Sequence, residues 1–193
     1  GAGALIAGGL ISLIKSIPLI VNTFSSAMKS LFKKRETSDL RTDRDMNMAV
    51  VIAAIVILIL AIWIIDIIPI PLIGAILIVI FGFFFATVSS RMVGLVGSSN
   101  NPVSGMAIAT LLISTLILKV TGYAGSTGMR SAIAIGSVIC IVSAIAGDTS
   151  QDLKTGYLLG ATPKKQQIAE VIGVVAAALA IGGTLYLLDK AWG

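Results

Sequence analysis

The run MAVVIAAIVILILAIWII at residues 48–65, then DIIPIP at 66–71 and LIGAILIVIFGFFFATV at 72–88, decides the class of this chain. Residues 48–65 are 18 positions without a charge, and residues 69–88 are 20 more. A helix that crosses a bilayer needs about 20 mainly apolar residues, within a range of roughly 17–25. The two runs therefore predict two spanning helices, 48–65 and 69–88. Asp66, Pro69 and Pro71 separate them, because proline removes backbone donors and a carboxylate is costly in hydrocarbon. Trp63 stands beside this turn, at the headgroup level that indole prefers. Asp66 reads as a turn residue or as part of a pathway entrance.

Three more apolar runs follow. Residues 105–118 gain length if their helix starts near Pro102, a residue suited to a first helical position, which predicts a span over 102–118. Residues 129–146 and 166–188 predict two others, the last with Glu170 in its first turns, where an acid is favourable. The Gly-rich opening, residues 1–14, is too short to cross alone and reads as the end of a truncated transmembrane helix that begins upstream. Residues 15–47 read as a charged cytoplasmic connector, and 48–193 as a membrane domain with about five spans. Lys and Arg accumulate on the cytoplasmic side of membrane proteins. If the spans alternate, eleven of them fall on the side of residues 15–47 and three on the other (Lys119, Arg130 and Lys190). Arg130 is expected to snorkel to the outer surface or to bind a substrate carboxylate.

Composition supports the same class. The 193 residues are 56% hydrophobic and 12% charged, against roughly 25% charge in a soluble domain, and the mean hydropathy is +1.03. Disorder needs the opposite balance. The fold class expected is all-α, a polytopic transmembrane helix bundle, in contact with membrane lipid. Glycines inside the apolar runs (Gly8, Gly9, Gly82, Gly136, Gly173, Gly182 and Gly183) allow close helix approach. The net charge of +5 does not indicate nucleic acid, because the basic residues of 29–44 are interleaved with Glu36, Asp39 and Asp43 and suit lipid headgroups. With no histidine, the usual general base, zinc ligand and neutral-pH switch are missing. No catalytic residue, metal site or cofactor is expected. The single cysteine, Cys140, reads as a small packing residue.

Two polar interruptions carry the functional signal. In residues 89–105, Met92, Val93, Leu95 and Val96 sit among Gly, Ser and Asn, too oily for an exposed loop and too broken for a helix. Non-helical backbone at membrane depth needs burial in protein or a water-filled cavity. Broken helices use freed backbone groups with Ser and Asn side chains to hold polar ligands. Ser98, Ser99, Asn100, Asn101, Pro102, Ser104 and Gly105 are therefore candidate substrate-binding residues. The alternative is an ordinary interfacial turn with an Asn-Pro helix start.

In residues 147–160, a short helix capped by Asp148 would place Asp148, Gln151 and Asp152 on one face. Two carboxylates one turn apart suit a proton carrier, since repulsion and partial burial raise one pKa. Lys154 and Tyr157 lie on an adjacent strip, where either anchors an anionic group. These five are candidates for proton coupling or gating. The alternative is an amphipathic cytoplasmic loop in which Asp148 is a helix cap and Lys154 meets headgroups. Gly122 to Gly128 is glycine-rich but lacks the strand and lysine of a phosphate loop, and reads as a connector.

The segments RMVG at 91–94 running into GSSNNPVSGM at 97–106, and GDTSQDLKTGY at 147–157 with GATP at 160–163 and Gln166-Gln167, resemble the oligopeptide transporter (OPT) family. Residues 91–173 carry most of the resemblance, which is closest to prokaryotic members near the yellow stripe-like metal-chelate branch. It implies a longer, multi-spanning symporter of the cell (inner) membrane, of which this chain is one portion. Such a protein imports small oligopeptides or metal-chelate complexes with protons, and its partners include the remainder of the same transporter. The rival reading is a non-transporting membrane scaffold subunit assembled through Gly-rich helices. An enzyme is not expected.

Overall fold

A computed structural model describes residues 40–65, 69–98 and 101–192, together with Ala7, Ile11, Ile14, Lys15, Pro18 and Asn22. Most of the expected helix end at 1–14 and of the connector at 15–47, and all of Asp66, Ser99 and Asn100, thus lie outside the described residues. A 3-10 turn, Arg41–Asp43, precedes five α-helices: α1 (Met48–Ile64), α2 (Leu72–Val96), α3 (Val103–Val120), α4 (Gly125–Leu158) and α5 (Pro163–Trp192). The described residues form no strand. Among the described residues, five helices are long and apolar enough to cross a membrane. The architecture is an all-helical transmembrane bundle.

The chain divides into two units, one holding residues 48–151 and the other residues 37–47 with 152–193. In the first, Ile78, Phe85 and Val88 of α2, Met106, Ala109 and Leu118 of α3, and Ala132, Ile135 and Ile139 of α4 form the core. Phe84 meets Phe85 edge-on at 5.1 Å between ring centroids, an arrangement favoured by the ring quadrupoles. Contacts between α2 and α4 advance together along both helices. A Cβ at Gly74 would meet Ile135 and one at Gly82 would meet Ile139, while Ser150 Oγ donates to the Ser90 carbonyl at 3.2 Å. The two helices therefore run parallel. The α3 helix also packs on α4, where a Cβ at Gly136 would stand 2.7 Å from Leu111. Of the glycines expected to aid packing, Gly136 lies at such a close approach and Gly82 at ordinary contact distance, whereas Gly173, Gly182 and Gly183 face open space. Gly8 and Gly9 are outside the described residues.

Helix bounds differ from the sequence expectation in two informative places. The α2 helix continues through Arg91 to Val96, residues that looked too broken to be helical. Burial of Val88, Ser89 and Val93 against the bundle outweighs the weak propensity of Gly and Ser there. Of the described residues there, Gly97, Ser98, Asn101 and Pro102 are outside a helix. Gly97 closes α2 in the left-handed region at φ 73°, where a Cβ would be strained, and its N–H reaches the Val93 carbonyl at 2.8 Å. Likewise α4 does not stop at 146. It runs unbroken to Leu158, so Asp148 lies inside a helix of 34 residues rather than capping a short one.

In the second unit, α4 ends in a turn in which Ala161 N–H reaches the Gly156 carbonyl at 2.7 Å across Gly160 at φ 72°, a Schellman closure. The end of the connector is tied to the start of α5. Arg41 Nη2 donates to the Gly160 carbonyl at 2.7 Å, Lys164 N–H to the Arg44 carbonyl at 2.9 Å, and Met46 N–H to Gln167 Oε1 at 2.9 Å. Neither α1 nor α5 contains a buried residue. The apolar stretches 48–64 and 171–188, buried on no side, need an apolar surrounding such as lipid or further helices.

Candidate functional site

Asn101, just before α3, is held from within the first unit. Asn101 Nδ2 donates to Ser89 Oγ of α2 and, at 3.4 Å, to the Ser143 carbonyl of α4. Ser89 Oγ also donates to the Ser143 carbonyl. Ser89 and Ser143 are fully buried. The Ser143 hydroxyl turns back to the Ile139 carbonyl at 2.8 Å, leaving the Ser143 carbonyl to accept from the two outside donors. A helical carbonyl is normally screened by the side chain four residues on. Here that residue is Gly147, and a Cβ on it would stand 2.6 Å from Asn101 Nδ2 and 3.1 Å from both Ser89 Oγ and Val93 Cγ2. Glycine at 147 is what lets the amide reach the helix. At about 1.5 Å per residue, Ser89 lies roughly 25 Å along α2 from Leu72, toward one end of an apolar layer about 30 Å thick. At the opposite end of the same helix pair, Ser131 Oγ donates to the Pro69 carbonyl and, at 3.0 Å, to the Thr127 carbonyl.

Around this knot, Ser98 and Gly105 are half-buried and Ser104 is exposed. Pro102 immediately precedes α3, and its carbonyl accepts from Met106 N–H at 3.2 Å. Among the described residues of the predicted substrate-binding set, Asn101 is the one whose side chain is committed to protein partners. Asp148 is exposed on α4 and Gln151 half-buried.

The second unit places the rest of the polar set. Asp152, Lys154 and Tyr157 are exposed on α4, and the Lys154 ammonium stands 5.5 Å from the Tyr157 ring centroid, within cation–π range. A cleft of about 320 Å³ is lined by Asp152, Thr155, Gly156, Gln166, Ala169 and Glu170, among others. Gln166 Nε2 donates to the Asp152 carbonyl at 3.1 Å, and its amide lies directly over Gly156. Its Oε1 is buried without a hydrogen-bond partner. No group of three or more acidic or Cys side chains able to hold a metal ion occurs among the described residues.

The family model described as OPT oligopeptide transporter protein matches residues 1–193. The chain belongs to the OPT family. A "Putative oligopeptide transporter" of Haemophilus influenzae is 39% identical over 124 residues, covering 60% of this chain and 20% of the relative. A second "Putative oligopeptide transporter", from Saccharomyces cerevisiae, is 34% identical over 122 residues, covering 63% of this chain and 16% of the relative. The chain thus spans about a fifth or less of the length of these relatives. No solved structure matches it. OPT is a family of transporters, not of enzymes, and this OPT chain is a multi-pass membrane protein.

Sequence reasoning missed Ser89, Ser143, Gly147, Gln166 and Glu170. The first three carried a faint signal, since Ser143 and Gly147 sit one helical turn apart in an apolar run and so share a face. Glu170 was visible only as a polar residue opening a helix, and Gln166 as that and as part of the resemblance at 166–167.

Proposed function

We propose that this chain is a portion of a proton-coupled symporter that carries small oligopeptides across the cell (inner) membrane. The observation that carries this reading is the match of the OPT family model over all 193 residues, with the names of the two relatives in support. The break at 97–102 and the residues after it, Ser98, Ser99, Asn100, Asn101, Pro102, Ser104 and Gly105, form the substrate-facing segment. Backbone groups freed there, with serine hydroxyls, meet the polar ends of a peptide. Asn101 contributes through the position it gives this segment. Asp148 and Asp152 exchange the coupled proton, because a chain without histidine leaves that task to carboxylates. Gln151 stands between them in sequence, and Lys154 and Tyr157 offer a cation and a ring to an anionic group.

The test is uptake by the full-length protein in proteoliposomes, with and without an inward proton gradient, over a panel of di- and tripeptides and metal–chelate complexes. Peptide accumulation driven by the gradient is expected, and Asp152→Asn is expected to reduce it at unchanged expression. Uptake indifferent to the gradient removes proton coupling. Accumulation of chelates without peptides moves the substrate class to metal complexes.

A further inference from the structure

We infer that Ser89, Ser143 and Gly147 are positioning residues that latch the Asn101 amide, and that this latch sets where the broken segment between α2 and α3 sits. The inference rests on the transport reading only for its consequence in uptake. Its physical content comes from the first unit alone.

Of the described residues between α2 and α3, Gly97 is left-handed and Pro102 offers no N–H, and no side chain caps α3. The Asn101 amide ties the chain just before Pro102 to the helices on either hand, through Ser89 on α2 and the Ser143 carbonyl on α4. That carbonyl is reachable because Gly147 leaves it uncovered. The N–H edge of Asn101 is thereby occupied by protein, so this amide orients the neighbouring groups and does not donate to substrate in this conformation. Breaking these bonds leaves the buried Ser89 hydroxyl short of a partner, a cost that favours the latched position.

The experiment uses the full-length protein with Cys140→Ala and any other reactive thiol removed, and a single reporter cysteine at Ser98. The rate of maleimide labelling reads the segment's exposure whether or not the protein moves peptide, so uptake can fail while this result stands. Asn101→Ala, Gly147→Ala and Ser89→Ala are each expected to speed labelling about tenfold, the factor set by one lost buried hydrogen bond. The double variant Asn101→Ala/Gly147→Ala is expected to label no faster than the quicker single one, because both undo the same contact. Ser89→Ala removes atoms without adding any, and so tests the latch even if Gly147→Ala fails to fold. A second reporter at Ser114, fully buried in α3, is expected to stay protected. Unchanged labelling at position 98 in Asn101→Ala and Ser89→Ala overturns the proposal. So do additive effects in the double variant, or a matching rise at position 114, which would mean a general loosening.

Discussion

Gly147 and Gly156 are both buried glycines on α4, and each sits beneath a side-chain amide. At Gly147 the amide of Asn101 is wedged against Ser89 and Val93, so a methyl group has nowhere to go. At Gly156 the amide of Gln166 is the end of a flexible side chain beside an open cleft. The same absence of a side chain thus serves two purposes. One glycine makes a closed contact possible, and the other leaves room that a neighbour merely fills. What separates them is whether the neighbour is free to withdraw.

The sharpest way to break this comparison is to overfill the closed position. Gly147→Val in the full-length protein is expected to destabilise it by about 1–3 kcal/mol, read as a fall in the thermal unfolding midpoint in detergent. A midpoint unmoved by valine would mean that the knot is open after all. Asn101→Ala empties the same position without crowding it. Its expected cost is about 1–2 kcal/mol from unpaired buried groups, measured by the same unfolding curve. On the open side, Lys154→Ala gives up an exposed ammonium–ring contact worth about 0.5–1 kcal/mol. A double-mutant cycle with Tyr157→Leu isolates that coupling, and a cycle with no coupling would dismiss the contact. The smallest effect is expected from Gly156→Ala. Gln166 swings aside, and the gain of about 1 kcal/mol in helix propensity offsets what is lost, leaving stability within about 0.5 kcal/mol of the parent. A loss as large as that of Gly147→Val would erase the distinction.

The spans were legible in the sequence because the length of an apolar run is a property of one stretch of chain. Residues 48–65 needed nothing beyond themselves to be read. The break was legible for a similar reason, since Gly, Ser, Asn and Pro cluster from 97 to 102. Its extent was not. Arg91 to Val96 stay helical through burial of Val93 and Ser89, and burial depends on helices that the local pattern does not contain. The knot lay further still from view. Ser89 meets a carbonyl 54 positions away, and the feature that admits the contact is a missing side chain at Gly147, which leaves no mark in composition. Asp148 was misread as a cap because Asp after Gly resembles a helix start, whereas α4 carries straight on through both.

A helix of 34 residues measures about 51 Å, against roughly 30 Å of hydrocarbon to cross. About 20 Å of α4 is thus in excess of a perpendicular crossing, to be taken up by tilt or by overhang. Its polar end from Asp148 to Leu158, about 16 Å long, accounts for most of that excess. Asp148 and Asp152, borne near the end of so long a helix, are exposed, where water rather than hydrocarbon solvates a carboxylate and the fold is spared the cost of burying the charge.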